Sequence, residues 1–136
     1  MIVDLVIFTV CEGRLKALLV KRAEEPFAGY WSIPGGFLNA DESLDDAAVR
    51  VRHEKTGVNE VFLEQLYTFG DPDRNPRARA ITVTYFALIP WKNLMQPATA
   101  KVADVAWFPV DGLPALAFDQ LQIVNQSIAR LRARQV

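Results

Sequence analysis

The segment GGFLNADESLDDAAVRVRHEKTGV, residues 35–58, sets a glycine pair, an acidic turn and a helical run in succession. Ser43 is a good N-cap, because its hydroxyl can accept a bond from an amide the first turn leaves orphaned. Asp45 and Asp46 follow where negative charge suits the positive end of the helix dipole. The spacing predicts a helix over 44–56, closed by Gly57 in the left-handed conformation that glycine tolerates best. Acidic residues three and four positions apart on such a helix share one face. A cluster of that kind can hold Mg²⁺ through hard oxygen ligands, and the metal can neutralise a pyrophosphate and activate a water. Gly35 and Gly36 let the backbone approach closely, so a glycine carbonyl is a candidate extra ligand.

Upstream, IVDLVIFTV (2–10) and LKALLVKR (15–22) are β-branched and leucine-rich runs separated by Glu12-Gly13, which reads as a hairpin. A loop with Pro26 and Gly29 leads to WSIP. Downstream, VFLEQLYTFG (61–70) and AITVTYFALIP (80–90) read as strands joined by the polar loop DPDRNPRAR (71–79). After a variable stretch comes DVAWFPV (104–110), a last strand. The terminal segment carries Leu121, Ile123, Val124, Ile128 and Leu131 near helical spacing, with a basic end that suits the dipole. The order ββ-loop-α-ββ-β-α argues for an α/β domain, a mixed sheet with helices on its faces.

The whole chain sets limits. Its 136 residues are 51% hydrophobic, enough for one domain with a real core. Fifteen Lys and Arg stand against 16 Asp and Glu, for a net charge of −1. That balance gives no general drive toward nucleic acid or anionic membrane, so neither direct nucleic-acid binding nor membrane association is expected. Cys11 is the sole cysteine, which excludes an internal disulfide or multi-thiolate zinc site, and it reads as a buried small side chain. Residues 1–10 alternate like a strand, lack a basic start and are interrupted by Asp4. The expected localisation is cytoplasmic.

Gly36, five residues, Glu42, seven residues, Arg50, then Glu54 and Gly57-Val58 resemble the Nudix box, GX5EX7REUXEEXGU, with U apolar. WSIPGG resembles the approach to that box. EKTGV, LEQLYTFGDPDRNPRARAITVTYFALIP and LAFD resemble one branch, that of ADP-ribose pyrophosphatase-like proteins and Nudix-related regulators of NAD metabolism. The resemblance covers about residues 2–134. It implies a Nudix fold, a mixed β-sheet sandwiched between helices, over a single domain at 1–136. It also implies an ADP-ribose-like ligand, Mg²⁺ or Mn²⁺ as metal, Gly36, Glu42 and Glu54 as metal ligands, and Glu54 in catalysis. In the regulators a winged helix follows the domain, and none is expected within these residues. A homodimer is the expected assembly.

The departures from the box carry equal weight. REUXEE stands here as RVRHEK, so the first glutamate is Val51, the apolar position is Arg52 and the final glutamate is Lys55. Two carboxylates (−2) become one neutral residue and one cation (+1). At about 4 Å and an effective dielectric of about 20, each unit charge is worth about 4 kcal/mol to a nearby ion. A tight Mg²⁺ cage is therefore not expected, and restoring Glu at 51 and 55 should strengthen metal binding and hydrolysis. Arg52 must snorkel, pair with a carboxylate, or be exposed by a rotation that turns Val51 inward.

Each candidate has a plainer reading beside the functional one. Glu54 is a metal ligand or a surface charge beside Arg50; Glu42 is a ligand or a partner of the helix terminus. Arg50 resembles the arginine that braces the acidic loop, with ligand contact second, and His53 reads as solvated. Arg74, Arg77 and Arg79 could contact phosphate or ribose, or form an ordinary solvated loop. In either case that loop is expected to be exposed, so that replacing Arg74 and Arg79 together would hardly touch stability. Arg22 ends the second strand and could face the pocket with Lys21, and Phe69, at a strand end beside the loop, is the aromatic candidate for ligand contact. The reading that follows is a domain that binds ADP-ribose or a similar nucleoside diphosphate derivative with weak or no hydrolysis. The alternatives are an active Mg²⁺-dependent hydrolase releasing AMP and ribose 5-phosphate, and a dimeric assembly domain.

Overall fold

A computed structural model describes residues 1–56, 62–76, 81–90 and 105–133. Its elements run β1 (Ile2–Cys11), β2 (Arg14–Lys21), β3 (Trp31–Ser32), β4 (Gly35–Phe37), α1 (Leu44–Thr56), β5 (Phe62–Phe69), β6 (Thr82–Leu88), β7 (Val105–Pro109) and α2 (Gln120–Ala133). The strands form one mixed sheet ordered β3-β2-β1-β6-β5, with β4 on β1 and β7 on β2. β1 is its axis, antiparallel to β2 and β4 and parallel to β6.

The reason is in β1 itself. Covered on both faces, it reads as an almost unbroken apolar run. Val3, Leu5 and Ile7 pack with Ala47, Ala48 and Val51 of α1. Val6 and Phe8 pack with Ile123, Val124, Ile128 and Leu131 of α2. By strand alternation Asp4 belongs to the α2 side. The sheet is thus sandwiched between two helices, as expected.

Local signals hold too. Glu12 and Gly13 both take positive φ, 54° and 75°, which is what a two-residue turn needs to match strand twist. Ser43 Oγ accepts from the Asp46 amide at 3.1 Å, and α1 begins at Leu44. Tyr85 of β6 donates to Asp45 and ties α1 to the sheet. One expectation changes and one element is added. Cys11 is half-buried at the hairpin instead of buried in the core, and Gly35–Phe37, read only as a glycine pair and its neighbour, is a short strand. The strand forms because β1 offers Asp4 and Val3 as antiparallel partners for Gly35 and Gly36, a pairing remote in sequence.

Candidate functional site

Beside β1 and β4 lies a cavity of about 440 Å³. Asp4, Thr82 and Gln120 line it from β1, β6 and α2; Gly35, Gly36 and Phe37 line it from β4. The 22–26 segment and Phe118 close another side. Its size is that of a small-molecule site.

Arg74 shows how tertiary structure uses a loop. Its side chain is only 7% exposed and forms a fork with Asp119, Nε to Oδ2 at 2.8 Å and Nη2 to Oδ1 at 2.9 Å. Its Nη1 donates to Thr82 Oγ1 at 2.7 Å. The expectation of an exposed loop is therefore corrected at Arg74, whose side chain is buried and bonded to Asp119 just ahead of α2. Asp4 lies near this pair. Burial pushes its carboxyl up to about 7; Arg74 offsets part of that rise and Asp119 adds to it.

The rim is aromatic and cationic. Arg22 sits over the Phe118 ring at 5.1 Å, and its Nε donates to the Pro26 carbonyl at 2.8 Å. Phe27 packs edge-on against Phe118, centroids 4.7 Å apart. Both residues hold positive φ, 64° and 53°, a strained conformation for aromatics that surrounding contacts must maintain.

The box lies on the other side of β4. Arg50 Nε and Nη2 bond Glu42 at 2.8 and 3.1 Å, and Nη2 also donates to the Phe37 carbonyl at 3.1 Å. Glu54, half-exposed, accepts from Arg50 Nη1 at 3.5 Å. The Arg50 bonds hold the Glu42 carboxyl below the usual carboxylate range. Val51 is 1% exposed and packed in the α1-side core. A Cβ placed on Gly36 would meet Val51 Cγ2 at 3.7 Å and Arg50 Nη1 at 4.0 Å. A methyl of Val51 and the Arg50 guanidinium therefore pack beside the Cα of Gly36. Among the described residues no group of three or more His, Cys, Asp or Glu is arranged for a metal ion. Nudix hydrolases generally work with divalent ions; among the described residues the box carboxylates that remain are bonded to Arg50 and do not make a set that fits one.

The structure brings Glu42, Arg50 and Glu54 together, and separately Arg22 and Arg74. Phe69 is 6% exposed in the α2-side core, against Tyr67 at 5.0 Å, and is not among the residues lining the cavity. Lys21 and His53 are exposed. Arg77, Arg79 and the Lys55 side chain lie outside the described residues. Arg52 is 6% exposed beside buried Val51, so the rotation that would have exposed it does not occur, and burial lowers its pKa. Sequence reasoning missed Asp4, Asp119 and Phe118. The signal for Asp4 was present, an acid in the middle of an apolar strand.

A NUDIX domain model matches residues 2–129, and the chain belongs to that family. It is 38% identical over 135 residues to the ADPR responsive transcriptional repressor NtrR of Acinetobacter baylyi, across 96% of this chain and 54% of that protein. It is 35% identical over 116 residues to the ADP-ribose pyrophosphatase of Methanocaldococcus jannaschii, across 85% of this chain and 68% of that protein. The NUDIX domain of Shewanella oneidensis NrtR, solved with ADP ribose, superposes with a TM-score of 0.83 at 42% identity, over 96% of this chain and 86% of that one. NrtR from the same organism with a 27mer DNA gives 0.87 at 41%, over 96% and 61%. The chain thus spans little more than half the length of the repressor it resembles.

These relatives overturn the expectation of no direct nucleic-acid binding. A repressor and a DNA complex stand among the proteins most like this one. A net charge of −1 was a poor guide because it sums over the molecule, whereas binding answers to local clusters. Among the described residues no helix is long and apolar enough to cross a membrane.

Proposed function

We propose that this domain binds ADP-ribose, or a closely similar nucleoside diphosphate derivative, in the cavity beside β1 and β4, with weak or no hydrolysis. The observation that carries the proposal is the box: Arg50 bridges Glu42 and Glu54, and Val51 fills the place of a carboxylate. Likeness to an ADP ribose-complexed domain at 42% identity supports the ligand class. With Val51 in place of one box carboxylate and Arg50 holding Glu42 and Glu54, binding rests on the chain's own side chains. Arg22 offers charge at the rim, Phe118 a flat apolar face, and the Arg74–Asp119 pair a fixed wall. The ligand state then acts on DNA, as the repressor relative suggests. A homodimer fits a regulator that reads symmetric sites.

The test is thermal unfolding with ADP-ribose in EDTA, run beside an assay of AMP release with Mg²⁺ or Mn²⁺. A ligand that binds only the native state raises the melting temperature by mass action. A rise in EDTA without AMP release is expected. No rise with any adenosine diphosphate derivative at millimolar concentration removes the proposal. The second reading, an active pyrophosphohydrolase, is favoured by the 35% identity to a pyrophosphatase. It gains the field if wild-type protein releases AMP at about 1 s⁻¹ or faster and Glu54→Gln abolishes this.

A further inference from the structure

Most buried polar side chains among the described residues have partners. Thr9 donates to Ile89 O, Thr82 accepts from Arg74, Gln120 accepts from the Ile33 amide, and Ser127 donates to Ile123 O. Asp4 differs. It is 7% exposed and lines the cavity, and its carboxylate, attracted by Arg74 only at a distance, has no hydrogen bond or ion pair with any described residue. Thr84, its register partner on β6, has a buried Oγ1 that also lacks one.

The surroundings keep room for this acid without satisfying it. On β4, opposite Asp4, stands Gly35, where any Cβ would collide with Asp4 Oδ1 and lie 3.0 Å from the Val3 carbonyl. The nearby cation, Arg74, spends its fork on Asp119 and its third bonded nitrogen on Thr82. An ionised carboxylate only accepts hydrogen bonds, and burying one without donors is costly.

We infer that Asp4 is the recognition group at the inner end of the cavity and accepts hydrogen bonds from an uncharged donor on the bound molecule, either sugar hydroxyls or an exocyclic amino group of a nucleotide. This rests on the reading that the cavity takes a nucleotide-type ligand. A phosphate at the inner end would meet Asp4 with Asp119 close behind, two like charges against one shared guanidinium. Phosphates therefore belong toward Arg22 at the rim, and the neutral, donor-bearing part goes inward. The carboxyl pushed up to about 7 agrees with a group left short of donors.

The experiment is calorimetry at pH 8 on wild type and Asp4→Asn, with ADP-ribose, AMP, IMP, ribose 5-phosphate, 2-deoxyribose 5-phosphate and pyrophosphate. Asp4→Asn is expected to weaken ADP-ribose binding roughly 10–100-fold, the range for losing bonds to a charged acceptor, and to leave pyrophosphate unaffected. In wild type, IMP weaker than AMP by a similar factor assigns the amino group. 2-Deoxyribose 5-phosphate weaker than ribose 5-phosphate assigns the hydroxyls. Circular dichroism checks that the variant folds, and if it does not, the two wild-type pairs decide alone. Wild type that binds ADP-ribose, indifferent to the substitution and to both donor deletions, overturns the role of Asp4 and leaves the binding function standing. Wild type that binds none of the panel overturns both.

Discussion

Two acidic clusters flank the short strand β4, and they are settled in opposite ways. Around Gly36, Glu42 and Glu54 are tied to Arg50 at a partly exposed surface, and the charges close on one another. Around Gly35, Asp119 takes the buried arginine and Asp4 is left without a partner inside a cavity. The first cluster is the one the motif advertises. The second is hidden by distance in sequence, yet it holds the uncompensated group, and such groups mark where a ligand completes the structure.

If the cavity side depends on a buried ion pair, breaking it should have the largest effect. Asp119→Ala leaves the Arg74 guanidinium without its fork, at an expected loss of about 4 kcal/mol in urea unfolding. A loss below about 1 kcal/mol would put Arg74 back with exposed loop residues.

Asp4→Asn should move stability the other way. The folded carboxyl is raised from 3.8 to about 7, so the fold favours the protonated form. The stability linked to that proton is fully present below pH 3.8 and is lost as pH rises through about 7. The shift corresponds to about 4 kcal/mol, and water in the cavity reduces it. The variant is therefore expected to gain about 2–3 kcal/mol over wild type at pH 8 and little at pH 4. Equal stabilities at pH 8 would show that Asp4 already has a partner.

On the box side, Ser43→Ala removes the cap that fixes the start of α1, at about 1 kcal/mol by thermal or urea unfolding. Arg50→Ala should act mainly on Glu42. Its lowered pKa makes a contribution present above pH 4.5 and lost as pH falls through the folded value. The substitution should return that carboxyl toward its ordinary range in an NMR titration. The smallest effect belongs to the metal: without nucleotide, replacing EDTA by millimolar Mg²⁺ should leave the wild-type melting temperature where it is. A clear rise would mean that Arg50 yields its carboxylates to the ion, and the contrast between the clusters would weaken.

Much of this could be read from residues in order. Ser43, Gly13 and the apolar runs specify helix, hairpin and strands because capping, turn geometry and side-chain period act over a few residues. Glycine and charge spacing also exposed the box and its losses at Val51, Arg52 and Lys55. Arg74 and Phe69 were misplaced for one reason: burial is set by what packs above a residue. Arg74 is covered because α2 brings Asp119 to it, 45 positions away. Phe69 is covered because α2 packs on that face of the sheet.

By itself, then, the sequence determined the elements, their order, the family pattern and the charge lost from the box, all consequences of short-range geometry. Tertiary structure alone decided which acids were neutralised. Pairing β1 with β4 and β6 set Asp4 beside Gly35 and Thr84, and docking α2 gave Arg74 to Asp119 instead. Coulomb and hydrogen-bond energies depend on separations of a few ångströms and on burial, and neither quantity exists until the chain has folded.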